Sequence, residues 1–238
     1  MNIITNEGLI KRNSAIGKVT SLVGMLMLVG GLIASFQIQD PEIVMWLWAA
    51  FIFGFVLSQV GIYFGNRWGR IPRLDQIIDK NLKGLGREYS IYHYMTPAAH
   101  LLVGPAGVWT ILPYYQSGRI SFTKGRWRAS GGGFLQAYMR IFGQESIGKP
   151  DMDARVEIDS LRKYLFKILA EDAVIPEIRA LLVFTHPKVD LALEDAPLPA
   201  ITPREIKDSL RAAAKANPLP KDTLSALQAA LPQVGKET

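Results

Sequence analysis

The sequence predicts a two-helix transmembrane hairpin followed by an α/β (α+β) soluble domain with a mixed sheet. Three observations lead to this class. Two long uncharged segments lie close together near the N-terminus, a run of short β-like segments follows them, and amphipathic helices flank one continuous apolar strand. Beyond the hairpin, roughly 170 of the 238 residues remain, which is enough for one domain.

The two uncharged segments are the first elements. They run from 19 to 39 and from 43 to 66, and a helix of about 20 residues, at about 1.5 Å per residue, covers a hydrocarbon core of about 30 Å. Because the connection is only a few residues long, the segments are predicted to form an antiparallel hairpin. The second segment has aromatic residues at both ends, as in the aromatic belts of spanning helices: Trp46, Trp48, Tyr63 and Trp68.

Charge at the ends of the segments predicts their orientation. The connection is acidic, and the residues beyond the outer ends are basic, namely Lys11, Arg12, Lys18, Arg67, Arg70 and Arg73. The positive-inside rule then places both termini in the cytoplasm. A secretory signal peptide is the alternative for the first segment, but its apolar stretch is too long and residues 36–39 offer no small-residue cleavage site. Neither segment contains an ionisable residue, so a transporter or channel is not expected.

These elements divide the chain into four parts. Residues 1–18 are predicted to be a cytoplasmic N-terminal segment, 19–66 the transmembrane hairpin, 67–216 a cytoplasmic domain and 217–238 a C-terminal helical tail. The lipid bilayer is the first expected partner. The second span also has a face of small residues that lets another backbone approach closely, and both packing against the first span and homodimerisation remain open for it. These residues are Gly54, Ser58, Gly61 and Gly65.

Apolar spacing and turn residues predict the elements of the domain. A helix follows Pro72 and ends near Gly84 or Gly86. A β-meander follows, with strands expected at 89–94, 100–103, 108–112 and 119–123. Residues 124–150 are interpreted as irregular, with a flexible loop at their three consecutive glycines.

The C-terminal half is predicted to be mainly helical. A long helix is expected at 152–170, and the nearly continuous apolar run at 178–185 is typical of a central strand buried on both faces. Thr202, with proline next and glutamate three residues on, predicts a capping box at the start of a helix. The remaining elements are a short edge strand at 191–193, that capped helix at 202–216 and a final helix at 223–231.

Composition limits the classes of function. The formal charge of +6 comes from residues 67–149, which hold 12 Lys/Arg against 4 Asp/Glu. Basic charge beside a membrane serves topology and attraction to anionic lipid, and nucleic acid is the other ligand that fits it. Cysteine is absent, which excludes a disulfide framework, a Cys-based zinc site and a thiol nucleophile. The chain has no P-loop, nucleophile elbow or dinucleotide fingerprint.

One stretch carries a family resemblance. The segment HLLVGPAGVWTI, which starts at His100, is followed by SGRI from Ser117, and together they resemble the NERD (nuclease-related) domain. That family has Asp-His, an apolar triplet, Gly-Pro-x-Gly-Val, a strand and then Glu-x-Lys. The resemblance covers most of residues 72–215 and implies a restriction-endonuclease-like core of the PD-(D/E)XK type. Residues 67–216 would then be a NERD-like domain.

The residues that carry catalysis in the family are replaced here. Its Asp falls on Ala99, its Glu on Leu112 and its Lys on Tyr114, whereas the acid of its first helix falls on Asp75 and its His on His100. Nuclease chemistry of this type needs carboxylates to hold a divalent ion and a lysine to position the attacking water. The resemblance therefore implies a nuclease-like fold without catalytic residues or cofactor.

Three hypotheses for function follow. The first is a membrane-anchored NERD-like module that binds or interacts at the cytoplasmic membrane face. The second is a nuclease that uses Mg²⁺ or Mn²⁺ at a relocated site formed by Asp75, Asp79 or Glu88. The third is a structural membrane protein that docks a protein partner.

The expected contact residues interleave basic and aromatic side chains around the glycine loop. They are Arg119, Lys124, Arg126, Trp127, Arg128 and Arg140. The cations would contact phosphates of nucleic acid or of anionic lipid headgroups, and Trp127 would stack on a base or anchor among the headgroups. A solvated loop with one packed tryptophan is the alternative.

The remaining titratable residues are interpreted as structural. His93 and His186 have no close carboxylate partner in the sequence, so the histidines are not expected to form a metal site. The acidic cluster at the start of the long helix is explained by the helix dipole. Its members are Asp151, Asp153, Glu157 and Asp159.

Overall fold

A computed structural model describes residues 1–37, 40–131, 147–170 and 173–233. The chain forms two compact units. One is the segment Glu7–Arg73, and the other combines Met1–Asn6 with Leu74–Thr238. The first residues of the chain therefore belong to the domain that follows the hairpin.

Two helices make up the hairpin unit. Helix α1 covers Glu7–Ser35 and helix α2 covers Pro41–Phe64, and a short π-helix, Gly65–Gly69, follows α2. Asp40 caps α2, because its carboxylate accepts a hydrogen bond from the backbone N–H of Glu42 at 2.9 Å. Both helical segments are long and apolar enough to cross a membrane. The prediction of two long apolar helices near the N-terminus is confirmed, and α1 begins well before residue 19.

Small residues allow α1 and α2 to approach closely. A Cβ atom on Gly24 would lie 2.8 Å from the carbonyl oxygen of Gly54 and 2.8 Å from the backbone nitrogen of Ser58. A Cβ atom on Gly61 would lie 2.6 Å from the backbone nitrogen of Ser21. The small-residue face of α2 is thus in contact with α1 of the same chain, and small side chains are what lets two helix backbones approach closely.

This packing bears on the predicted homodimer face. Gly54, Ser58 and Gly61 all meet α1, so a second copy could use them only if α1 were displaced. A Cβ atom on Gly65 would have no atom within 4 Å. Of the two interpretations that the sequence left open, the structure shows packing within the hairpin.

The domain is built on a six-stranded mixed sheet in the order β1-β2-β3-β4-β7-β9. Strand β1 is parallel to β2, the β2-β3-β4 meander is antiparallel, and β4, β7 and β9 are mutually parallel. The strands are Asn2–Thr5, Ser90–His93, His100–Gly104, Gly107–Tyr114, Ile178–Phe184 and Ala200–Ile201. The predicted mixed sheet is confirmed.

A three-stranded sheet in the order β6-β5-β8 accompanies the main sheet. Its strands are β5 at Gly118–Thr123, β6 at Arg126–Ser130 and β8 at Val189–Leu193. Strand β6 lies in the segment predicted to be irregular. The strand was not predicted because it has only two apolar residues, Trp127 and Ala129, and Phe122 pairs with Trp127 across a two-residue turn. Strands β1 and β9 were also not predicted, because a strand of 4 or 2 residues carries almost no periodicity.

Helices cover both faces of the main sheet. Helices α3 at Leu74–Leu82 and α5 at Ile206–Ala216 pack on one face, and α4 at Pro150–Ile168 and α6 at Lys221–Ala230 pack on the other. Alternation along β4 shows this division, since Trp109 and Ile111 join the first core whereas Val108 joins the second. A turn at Pro203–Glu205 carries the predicted capping box into α5.

The contact between the two hairpin helices can be tested with one pair of alanine substitutions. Gly61→Ala would force its methyl group against the backbone of Ser21, so we expect it to lower the free energy of unfolding in mixed micelles by about 1–3 kcal/mol. Gly30→Ala is the matched control, because a Cβ there meets nothing within 4 Å, and its effect should stay within about 0.5 kcal/mol. Equal effects of the two variants would contradict this packing.

Candidate functional site

The Gly-Pro-x-Gly-Val motif forms the turn between β3 and β4. Gly104 and Gly107 are register partners at the ends of these strands. Gly107 has a φ of +103°, which favours glycine, and a Cβ on Gly104 would collide with the ring of Tyr89. Both glycines are therefore required by local geometry, and the motif reports on the fold rather than on a reaction.

The positions that the sequence resemblance matches to catalytic residues hold side chains with clear structural contacts. Leu112 is 6% exposed and lies in a core with Phe184. The ring of Tyr114 stacks on that of Phe184 with centroids 5.5 Å apart, and its hydroxyl donates to Oδ2 of Asp153 at 2.9 Å. Ala99 directly precedes β3, and its carbonyl oxygen accepts from the backbone N–H of Tyr94 at 2.8 Å.

Three carboxylates of α4 accept hydrogen bonds from the two sheets. Asp153 accepts from Tyr114, Glu157 accepts from the hydroxyl of Thr110, and Asp151 accepts from the indole nitrogen of Trp127 at 2.8 Å. The helix dipole therefore explains this acidic cluster only in part. Among residues 1–37, 40–131, 147–170 and 173–233, no group of three His, Cys, Asp or Glu could hold a metal ion.

Burial fixes the protonation state of Tyr114. Desolvation first, and then the negative charge of Asp153, raises the pKa of the Tyr114 hydroxyl well above its usual value near 10. The group therefore stays a neutral hydrogen-bond donor at physiological pH. It cannot supply the cationic ammonium that the family has at this position.

Asp75, which the resemblance matches to the acid of the family's first helix, lies on the other side of the sheet. Asp75 is 1% exposed and belongs to α3, which packs on the face opposite to the one that carries Leu112 and Tyr114. Asp79 lies on the same helix, and its Oδ1 is within hydrogen-bond distance of Nε2 of His93, at 2.9 Å. Asp75 and Asp79 thus lie apart from Leu112 and Tyr114, and among the described residues they form no group with Glu88 that could hold a metal.

His93 and His100 form a buried pair. They are register partners on β2 and β3, their Nδ1 atoms are 2.7 Å apart, and they are 0% and 2% exposed. One ring must donate and the other accept in this contact. The expectation that His93 lacks a carboxylate partner was wrong, because the meander and α3 bring Asp79 to it. His186 lies elsewhere, edge-on to Tyr115 with ring centroids 4.8 Å apart.

Three of the predicted contact residues lie on one face of the three-stranded sheet and a fourth lies in the adjoining turn; these four are named here the arginine face. The register pairs Ser121 with Arg128 and Thr123 with Arg126, so both arginines lie on the same side as Arg119. Lys124 occupies the turn with a φ of +51°, before Gly125 at +70°. The arginine face is thus Arg119, Lys124, Arg126 and Arg128, and all four are exposed.

Salt bridges take up little of this charge. Nε of Arg119 lies 4.0 Å from Oδ2 of Asp190, and both side chains are largely exposed. Such a pair is worth at most about 1 kcal/mol. Within the part of the chain that the structure describes, this weak pair is the salt bridge found on the arginine face.

Trp127 does not belong to the arginine face. It points to the opposite side of the sheet and is 7% exposed. Its ring packs on Phe122 and Phe184, with centroids 5.3 and 6.2 Å away. The expectation that Trp127 stacks on a base or anchors among headgroups needs an exposed ring, so the alternative of a packed tryptophan describes it. Arg140 lies outside the described residues.

The role of Tyr114 can be tested through pH. Tyr114→Phe removes one hydrogen bond to a carboxylate, so it should lower the free energy of unfolding by about 1 kcal/mol near neutral pH. Because the pKa of Tyr114 is raised in the folded state, the wild-type chain loses stability as the pH rises above about 10, whereas the variant has no hydroxyl to ionise. Unfolding at a series of pH values should show the difference shrinking, and parallel curves would contradict the assignment.

Comparison of the chain with family models, with curated proteins and with solved structures finds no match. The resemblance to the NERD family therefore rests on the residues around the β3–β4 turn. The two features that bear on function are the arginine face and the side chains at Ala99, Leu112 and Tyr114, the positions that the resemblance matches to catalytic residues.

Proposed function

We propose that this chain is a membrane-anchored, NERD-like binding module without an intact nuclease motif, which contacts phosphate-bearing ligands at the cytoplasmic membrane face. The single observation that carries the proposal is the arginine face. Three exposed arginines from two paired strands lie on one side of the sheet, with exposed Lys124 in the turn between the strands, while Ala99, Leu112 and Tyr114 stand at the positions that the resemblance matches to catalytic residues.

The pairing of β1 with β2 supports the anchor. Residues before α1 and residues after α2 belong to one sheet, which favours an arrangement with both ends of the hairpin on the same side of a membrane. Both helices then cross or neither does, and their length and composition favour crossing. Cleavage of α1 as a signal peptide would remove β1 from the sheet. The basic residues at both outer ends favour the cytoplasmic side.

The packing of the family positions supports the absence of catalysis. A divalent-ion site of this type needs at least two carboxylates aimed at one point. Two acids of α4, Asp153 and Glu157, contact strand β4 near these positions, but they accept hydrogen bonds from Tyr114 and Thr110. The relocated site of Asp75, Asp79 and Glu88 is not favoured by any contact among the described residues.

The arginine face suits phosphate groups. Arginine binds phosphate through two parallel N–H donors, and an alternating strand spaces Arg126 and Arg128 about 7 Å apart on one side. Exposed cations of this kind bind polyanions with an affinity that falls steeply with salt. Nucleic acid and anionic headgroups present the same group, so the ligand is defined by its phosphates.

Salt-dependent binding tests the arginine face. The full chain in nonionic detergent micelles should bind labelled duplex or single-stranded DNA, and the slope of log K against log salt should lie near −3 if four cations make contact. Arg126→Glu with Arg128→Glu should weaken binding at least about tenfold. The matched control is Arg204→Glu with Lys215→Glu, which changes the same charge at exposed positions near α5.

The outcomes of this titration are distinct. Equal loss in both double variants would mean that net charge alone drives binding, which contradicts a defined face. Absence of binding at low salt would remove nucleic acid as a ligand. A fragment that starts at residue 67 is unsuitable for the experiment, because it lacks the edge strand β1.

Metal-dependent cleavage provides a separate test. The unaltered chain should leave DNA and RNA intact in Mg²⁺ or Mn²⁺, because the described residues form no group for the metal. Cleavage that Asp75→Asn abolishes would contradict the proposal and establish a relocated site. Asn is the appropriate replacement, since the buried position of Asp75 makes a larger change disruptive.

A further inference from the structure

Helix α4 has an outer face whose composition differs from that of its other sides. Ala154, Leu161 and Leu165 are buried against the sheets. At about 100° per residue, the residues opposite to them form the outer face of α4. This face consists of Met152, Arg155, Val156, Asp159, Arg162, Lys163, Phe166 and Lys167, all of them exposed.

The outer face of α4 exposes large hydrophobic side chains. Met152, Val156 and Phe166 are 56%, 63% and 77% exposed. A single exposed hydrophobic residue is ordinary, but three on one side of one helix form a stripe that crosses most of its length. The 19-residue helix is about 28 Å long. A partner is therefore expected to cover this stripe.

The acids of α4 lie mainly toward the sheets, and its cations lie on the outer face. Asp151, Asp153 and Glu157 accept hydrogen bonds from the sheets, whereas the outer face has four cations and one acid, Asp159. The dipole at the helix C-terminus favours cations in the last turn. It does not explain Arg155, nor the hydrophobic residues among the cations.

We propose that the outer face of α4 docks on an anionic lipid surface, the headgroup layer of the membrane in which the hairpin is anchored. The cations pair with lipid phosphates, and Met152, Val156 and Phe166 enter the boundary between headgroups and acyl chains. Long lysine and arginine side chains reach the headgroups while their stems cover the apolar residues. The inference rests on the membrane anchor of the proposed function, and the tether keeps the face at high effective concentration near the bilayer.

The absence of cysteine allows a site-specific test on the full chain. Three single-cysteine variants, each labelled with an environment-sensitive fluorophore, are reconstituted in lipid nanodiscs that contain a nitroxide-labelled lipid. Val156→Cys reports on the outer face of α4. Lys215→Cys reports on α5, which packs on the opposite face of the main sheet. Leu47→Cys reports on insertion of α2.

We expect lipid quenching of the label at position 156 in discs with phosphatidylglycerol, and little quenching in discs of phosphatidylcholine alone. High salt should reverse it, because the attraction to the headgroups is screened. Lys163→Glu with Lys167→Glu should lower the docked-to-undocked ratio at least about fivefold. Arg204→Glu with Lys215→Glu, in the 156-labelled chain, should leave it unchanged.

Several outcomes would overturn the inference. Equal quenching at positions 156 and 215 in anionic discs shows no preferred face. A label at 156 that is shielded equally in neutral discs, and only when two chains share a disc, shows contact between copies. Quenching at position 47 without quenching at position 156 refutes the docking of α4 but agrees with insertion of the hairpin. Absence of quenching at position 47 refutes the membrane anchor itself.

Discussion

The parallel pairing of β1 with β2 is the contact on which the arrangement of this chain depends. Four register pairs join Asn2–Thr5 to Ser90–His93, and Ile4 is buried in the core beside Tyr92. Each hydrogen bond of such a ladder contributes only about 0.5–1.5 kcal/mol. Together with the burial of Ile4, however, they join the segment that precedes the hairpin to the sheet that is formed after it. The segment Met1–Asn6 therefore belongs to the domain, although the hairpin separates it from the rest of the domain in the sequence.

The distribution of charge within the domain follows from where hydrogen-bond donors are buried. Thr110, Tyr114 and Trp127 present hydroxyl and indole donors toward α4, and the carboxylates of that helix accept from them. Cations are long and strongly hydrated, so they remain on the outer face of α4 and on the arginine face. The arginine face belongs to the basic segment 67–149, whereas the cations of the outer face of α4 lie in a part of the chain where acids and bases nearly balance.

Much of the fold could be predicted from periodicity. The apolar run from Ile178 is a central strand, the spacing after Pro72 is a helix, and Thr202 with Glu205 is a capping box. Strand β6 was missed because its inward residues are only Trp127 and Ala129 between exposed arginines. Strand β1 was missed because a strand of 4 residues, directly before a long helix, has no period of its own.

The candidate site was predictable only in part. Polar and apolar residues alternate along the strands on either side of the Lys124–Gly125 turn. This alternation could have predicted that the arginines lie on one face of the sheet and Trp127 on the other. The contact of Asp79 with His93 depends on tertiary packing of α3 against the meander, which a single sequence does not encode locally. The same holds for the carboxylates of α4, whose donors come from residues 24 to 47 positions away.

The order of the strands also has a consequence for synthesis. Strand β1 leaves the ribosome first, but its partner β2 starts only at Ser90, after the whole hairpin. At a translation rate of 5–20 residues per second, this interval lasts roughly 4 to 17 s. During this interval, residues Asn2–Thr5 have no strand to pair with. The β1–β2 pair can form only after the whole hairpin has been synthesised. Strand β1 therefore joins the sheet only after β2 has been synthesised, although it precedes β2 by the length of the hairpin.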